Sequence, residues 1–124
     1  MTKDKDIETW DYYKDSSLYK NMTLSSYQNA ASGTAIYPTQ HAITYPALGL
    51  AGEAGEVANK VKKIIRDGKL DKPALVAEIG DCLWYIAALC RDLNVDMEDV
   101  AKSNLEKLYS RKQKGTLQGS GDTR

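Results

Sequence analysis

Glu53 and Glu56 stand three positions apart in GEAGEVANKVKKIIRDG, and Glu78 and Asp81 repeat that spacing in EIGD. On a helix, side chains three apart rise on one face, so each pair sets two like charges side by side, which weakens an ordinary solvated helix. A hard divalent cation turns the repulsion into a ligand set. Mg²⁺ and Mn²⁺ favour oxygen donors, and Mg²⁺ is commonly held by a few carboxylates together with substrate phosphates. Either pair alone would pass as ordinary exposed acids. Their relation to one turn changes that. Glu56 and Glu78 are equidistant from Asp67, and so are Glu53 and Asp81. In an antiparallel helix hairpin turning near Asp67 to Lys69, all four carboxylates therefore arrive at one level. At about 100° per residue, Glu53 lies within about 40° of the apolar stripe of Val57, Val61 and Ile64. Glu56 and Glu78 lie roughly 100° from their stripes, at the edge of the core, and Asp81 is further round. Four partly shielded carboxylates at one level would raise each other's pKa or push the helices apart unless a cation joined them.

The surrounding charges suggest what the cation would serve. Lys60 and Lys63 follow Glu56 on roughly the same face, and Asn104, Lys107 and Arg111 follow one another along the last helix. Carboxylate-held divalent ions beside lysines and an arginine suit a polyphosphate, whose transferring group needs charge stabilisation and little else. Glu53 or Glu56 is expected to orient or deprotonate the attacking water. Trp84 and Tyr85 follow the second acidic pair and could stack on a base, or simply pack. Other chemistries lack their residues. His41 is the sole histidine, so di-iron and zinc sites are short of ligands. Neither a Walker loop nor an EF-hand loop occurs, and Cys82 has no histidine nearby to activate it.

The elements that must position these residues read as helices. Ser25 or Ser26 can cap a helix running to about Ser32, followed by an extended connector, IYPTQHAITYP. A long helix is predicted from about Pro46 to Arg66, stopped at Asp67-Gly68. The next opens at Lys72-Pro73, carries Leu75, Val76, Ile79, Leu83, Ile86, Cys90 and Leu93 at helical spacing, and ends at Asn94. The last begins near Asp96 and carries Val100, Leu105 and Leu108. The expected fold is all-α: a four-helix bundle-like subunit around a central antiparallel hairpin. Residues 1–21 read as an N-terminal extension and 22–124 as one domain. The end, GTLQGSGDTR, holds Gly115, Gly119 and Gly121. These would let backbone amides approach a ligand, with Arg124 as a bidentate phosphate contact. If the tail closes over the ligand, deleting Gly119 to Arg124 would impair turnover without lowering the melting temperature of the free protein.

Composition bounds the rest. The chain has 124 residues, 17 basic and 17 acidic, so a surface for a nucleic-acid polymer is not expected. No apolar run approaches the ~20 residues of a membrane span, and the charged start is no signal peptide, so a cytoplasmic protein is expected. Cys82 and Cys90 lie about 12 Å apart along one helix, too far to pair. Trp84, Tyr85, Ala88 and Leu89 lie partly off their helix's main stripe, an apolar surplus better buried against another subunit.

LGLAGEAGEVANKVKK, EIGDCLWYIAAL and NLEKLYSRKQKGTLQGSGDTR together resemble the MazG-like branch of the all-α nucleotide pyrophosphohydrolases, from about Leu24 to Arg124. The family's ExxE…ExxD signature is met at Glu53, Glu56, Glu78 and Asp81. The resemblance implies an enzyme that uses Mg²⁺ or Mn²⁺, two or more ions per site, to cleave nucleoside triphosphates to a monophosphate and pyrophosphate. It implies a homodimer or homotetramer with a pocket partly built by another subunit. Lys60, Lys63, Asn104, Lys107 and Arg111 become candidates for phosphate contact. The short single-domain form and the GSGDTR ending are similar to phage-borne members, among them MazZ-type enzymes that act on dGTP. A house-cleaning role on non-canonical nucleotides, or a non-enzymatic helical interaction module, are the alternatives.

Overall fold

A computed structural model describes residues 14–124; the rest of the N-terminal extension lies outside the described residues. Five bounded helices follow in order among the described residues: α1 (Ser17–Lys20), α2 (Leu24–Ser32), α3 (Thr44–Asp67), α4 (Lys72–Asp92) and α5 (Met97–Lys114), with a 3₁₀ turn at Thr39–His41. No strand occurs among the described residues. The all-α expectation is met, with one short helix more than the sequence pattern suggested, inside the extension.

Local chemistry explains the boundaries. Thr23, rather than Ser25 or Ser26, caps α2. Its hydroxyl accepts from Ser26 N–H at 3.1 Å while Ser26 Oγ accepts from Thr23 N–H at 2.8 Å. Such reciprocal caps satisfy two otherwise orphaned donors. At the hairpin turn Gly68 takes φ 70°, a left-handed conformation nearly free of cost only for glycine. Asp71 then accepts from Ala74 N–H at 3.1 Å to start α4, with Pro73 in the first turn. α4 ends at Asp92, two residues before Asn94, which takes φ 56°. Asp96 caps α5 through Glu98 N–H at 2.9 Å.

α3 and α4 lie along each other as the hairpin, and α2 packs across α4 and α5. The core forms at one end only. Ala87, Cys90 and Met97 are buried there, with Leu24, Tyr27, Ala31, Leu83 and Ile86 packed round them. α2 also clasps the α4–α5 turn. Gln28 donates to Val95 C=O at 2.9 Å and accepts from Met97 N–H at 2.7 Å, while Ser25 Oγ donates to Asp96 at 2.8 Å. Toward the hairpin turn the apolar residues stay wet in the single chain: Val61, Leu70, Val76 and Ile79 are exposed, and Ile65 is 83% exposed. By length and composition α4 could also cross a membrane. It carries Glu78 and Asp81 in its middle, however, and is the helix on which α2, α3 and α5 pack.

Candidate metal and phosphate site

The hairpin brings carboxylates from both helices together. One oxygen each from Glu53, Glu78 and Asp81 lies within 4.8 Å of the others. Glu53 and Glu78 are half-buried and Asp81 is exposed. The neighbouring Glu78 carboxyl is the chief influence holding the Glu53 carboxyl above the usual carboxylate range. Partial burial and the charges of Asp81, Glu78 and Glu56 add to it. Crowding of like charges favours the neutral form of a carboxyl. Glu56 is exposed and stands outside the converging trio, acting on Glu53 through its charge. The donor set is all oxygen and anionic, with half-buried members from facing helices. Those properties fit a hard divalent cation, which would relieve the crowding of like charges.

The helix spacing at this level is set one turn away. Tyr85 follows Asp81 by four positions and its ring crosses α3 directly over Gly49, four positions before Glu53; a Cβ on Gly49 would overlap the ring. Burial, first, raises the Tyr85 hydroxyl's pKa, with Tyr45, Glu53 and Asp81 contributing, which puts Tyr85 within electrostatic reach of the carboxylates. Trp84 makes an edge contact with Tyr85 at 5.0 Å, and its indole N–H donates to Thr34 Oγ1 at 2.7 Å. From α2, Tyr27 reaches the same region: burial and then the Asp81 charge raise its hydroxyl's pKa.

The basic candidates are more dispersed. Lys60 and Lys63 line a groove of about 530 Å³ under the hairpin turn, with Asp67, Lys69 and Leu70. Asn104 and Lys107 line an open groove of about 640 Å³ along α5, with Asn94, Asp96 and Asp99. None of the three converging carboxylates lines either groove. Lys107 pairs with Asp122 at 3.5 Å. Arg111 is 5% exposed, and its Nη2 donates to Asp122 C=O at 2.9 Å and to the Asp122 carboxylate at 3.2 Å. Arg124 donates to Thr116 C=O at 3.0 Å, to Leu117 C=O at 3.1 Å and to Gly121 C=O. Both arginines therefore serve the tail's own backbone. The tail is a folded loop here, and its hydrogen bonds run against the expectation that it could be removed at no cost to stability.

An all-α chain built on a carboxylate-lined helix hairpin is the class that fold and site define. Residues 42–116 match the MazG nucleotide pyrophosphohydrolase domain, and the chain belongs to that family. It is also similar to the "Gene 37 protein" of Mycobacterium phage L5, 47% identical over 114 residues that cover 83% of this chain and 100% of the relative, which sets it in the short phage-type branch. No solved structure matches the chain.

Tyr27, within reach of Asp81, and Tyr45, beside Tyr85, are site neighbours that sequence reasoning missed, as are Tyr37 and Asp92 behind them. For Tyr45 a signal existed, since Tyr45, Gly49 and Glu53 recur every four positions and must share a helix face.

Proposed function

We propose that the chain hydrolyses nucleoside or deoxynucleoside triphosphates to the monophosphate and pyrophosphate, with Mg²⁺ or Mn²⁺ held by Glu53, Glu78 and Asp81 and completed by Glu56. The observation that carries this is the convergence of three carboxylates from two helices, with one oxygen of each within 4.8 Å of the others. A bound divalent cation supplies charge stabilisation at the phosphoryl oxygens. The chain's own residues supply the rest. Glu56, exposed one turn past Glu53, or Glu53 itself would orient and deprotonate water, whichever of the two is not taken up as a ligand. Lys60 and Lys63 would meet the leaving pyrophosphate from the hairpin-turn side. Asn104 and Lys107 would contribute from α5, Lys107 after giving up Asp122. Arg111 and Arg124 would reach phosphate only if the tail released them. Tyr85, within electrostatic reach of Glu53 and Asp81, is better placed than Trp84 to meet a base.

The finer reading is dGTP to dGMP, from likeness to the phage-borne branch. Assembly follows from the exposed apolar end of the hairpin, which a second copy of the chain would cover, giving a dimer or a tetramer. A turnover panel of common and modified triphosphates with Mg²⁺ and Mn²⁺ tests the activity and its base preference together. Selective turnover of dGTP supports the finer reading. Preference for modified bases would assign a house-cleaning role, and no turnover with any triphosphate or cation would end the enzymatic one.

A further inference from the structure

Ile43 immediately precedes α3 with φ 68° and ψ −55°, and Thr44 N–H donates to Ala42 C=O at 2.7 Å. This is the positive-φ γ-turn, a rare and strained geometry. For a β-branched residue such backbone persists only where the surroundings over-determine it. Asp92 is what does so. Its side chain is 5% exposed at the end of α4. It accepts from Ile43 N–H at 2.9 Å, Tyr37 O–H at 2.7 Å and Arg91 Nη2 at 3.0 Å. Arg91 Nη2 also donates to Tyr37 Oη at 2.8 Å, and the guanidinium lies 5.4 Å from the centre of the Tyr37 ring. Burial is the largest single influence on the Asp92 carboxyl and would raise its pKa. The bonds from Ile43, Tyr37 and Arg91 together outweigh it, and the net shift is downward.

A carboxylate kept only to neutralise Arg91 would need no bonds to the connector. Asp92 makes two, and both lead toward the site. Tyr37 stacks on Tyr45 with ring centres 4.6 Å apart, and Tyr45, the second residue of α3, lies 6.4 Å from Tyr85. Tyr85 is within the field of Glu53 and Asp81. Three rings thus run from the Asp92 network to the carboxylates. We propose that Asp92 is a positioning residue. By holding the Ile43 turn and the Tyr37 hydroxyl, it fixes the wall of Tyr37, Tyr45 and Tyr85 against which the planar base of a nucleotide packs. The kinetic part rests on the proposed hydrolysis; the structural part does not.

The test compares Asp92→Ala, Tyr37→Phe and the double variant Asp92→Ala/Ile43→Gly with the parent chain. Three quantities are read: exchange of the Ile43 amide, kcat and KM for a turned-over triphosphate, and the rise in melting temperature on adding Mn²⁺. In Asp92→Ala the Ile43 amide is expected to exchange at least about tenfold faster and KM to rise about tenfold, the worth of one lost hydrogen bond to a charged group. The Mn²⁺ response should persist and kcat should stay within about threefold, because the carboxylates lie beyond the third ring. Glycine at position 43 adopts the turn without strain and should recover much of the KM loss. Tyr37→Phe removes only the hydroxyl and should give the same split at smaller size, which covers the case in which Asp92→Ala does not fold. Unchanged amide exchange, or faster exchange with unchanged KM, would overturn the assignment. So would parallel loss of kcat and the Mn²⁺ response, which would make Asp92 a support of the whole fold. If the parent chain turns over no triphosphate, the proposed function fails. Amide exchange and the near-ultraviolet dichroism of the tyrosine stack then decide: both altered in Asp92→Ala supports the structural part, and either one unchanged overturns it.

Discussion

Replacing Gly49 with alanine adds one methyl group where α3 meets the Tyr85 ring. The new Cβ would overlap three ring atoms of Tyr85. That ring cannot simply swing aside, since Trp84 abuts it at 5.0 Å and Tyr45 lies 6.4 Å away. Forcing a methyl group into packed surroundings costs about 1–3 kcal/mol. Against this, alanine is better than glycine in a helix interior by up to about 1 kcal/mol. With that gain taken in full, the net expectation is a loss of about 0–2 kcal/mol. The same shift would move Asp81, one turn from Tyr85, away from Glu53, so Mn²⁺ binding should weaken as well. Denaturant melts of Gly49→Ala, Tyr85→Ala and the double variant measure the coupling, with Mn²⁺ titration of each. In the Tyr85→Ala background the methyl group gains its space, and Gly49→Ala should become neutral or stabilising. Gly55→Ala is the internal control, because a Cβ there meets nothing within 4 Å in the single chain. Stabilisation by Gly49→Ala in the parent chain, or equal effects in both backgrounds, would refute the close approach as the spacer of the hairpin.

Three further expectations follow from the same geometry. The Glu53 carboxyl is held above its ordinary value, so the folded state keeps a proton that the unfolded chain releases. The Glu53 contribution to the stability of the cation-free protein should therefore be lost as pH rises through its folded-state value, against the opposite contribution of the lowered Asp67, Asp92, Asp96 and Asp122, while Mn²⁺ affinity climbs. Melting curves across pH check this, and Glu53→Gln should flatten both trends. Deleting Gly119 to Arg124 strips the buried Arg111 of the Asp122 acceptors, and should cost about 1–3 kcal/mol in a denaturant melt. An unchanged melt would mean that the loop carries no stability. The exposed Ile65 end of the hairpin should be covered in solution. Light scattering at micromolar concentration should give at least twice the 13.7 kDa chain mass, and Ile65→Lys should lower it; a 13.7 kDa particle from the parent chain would contradict assembly.

The acidic site was legible because its logic is one-dimensional. Equal distances from Asp67 and spacings of three put Glu53, Glu78 and Asp81 at one level on facing helices, and the three do converge. Glu56 shows where counting stops. Its angle from the stripe gave only the core edge, and the actual crossing of the helices leaves it outside the trio. The helix hairpin itself was readable from periodicity together with Gly68 and Pro73. The connector was not. A γ-turn at Ile43 runs against local preference and exists because Asp92, 49 positions later, accepts its N–H. The arginines show a related limit. Lys107 and Arg111 share a face one turn apart, as phosphate ligands would, yet Arg111 is buried against carbonyls of the tail. Side-chain type and spacing reveal which charges are neighbours in a helix, and are silent on which backbone oxygens a folded loop will offer them.

The central claim is that the carboxylates of α3 and α4 serve cleavage of a triphosphate at its α-phosphorus. Phosphorus NMR of a deoxynucleoside triphosphate incubated with the protein and Mg²⁺ tests it most directly. The expected spectrum gains nucleoside monophosphate and pyrophosphate signals together, and Asp81→Ala, still helical by circular dichroism, produces neither. Release of a nucleoside diphosphate with single inorganic phosphate, or undiminished cleavage by Asp81→Ala, would contradict it.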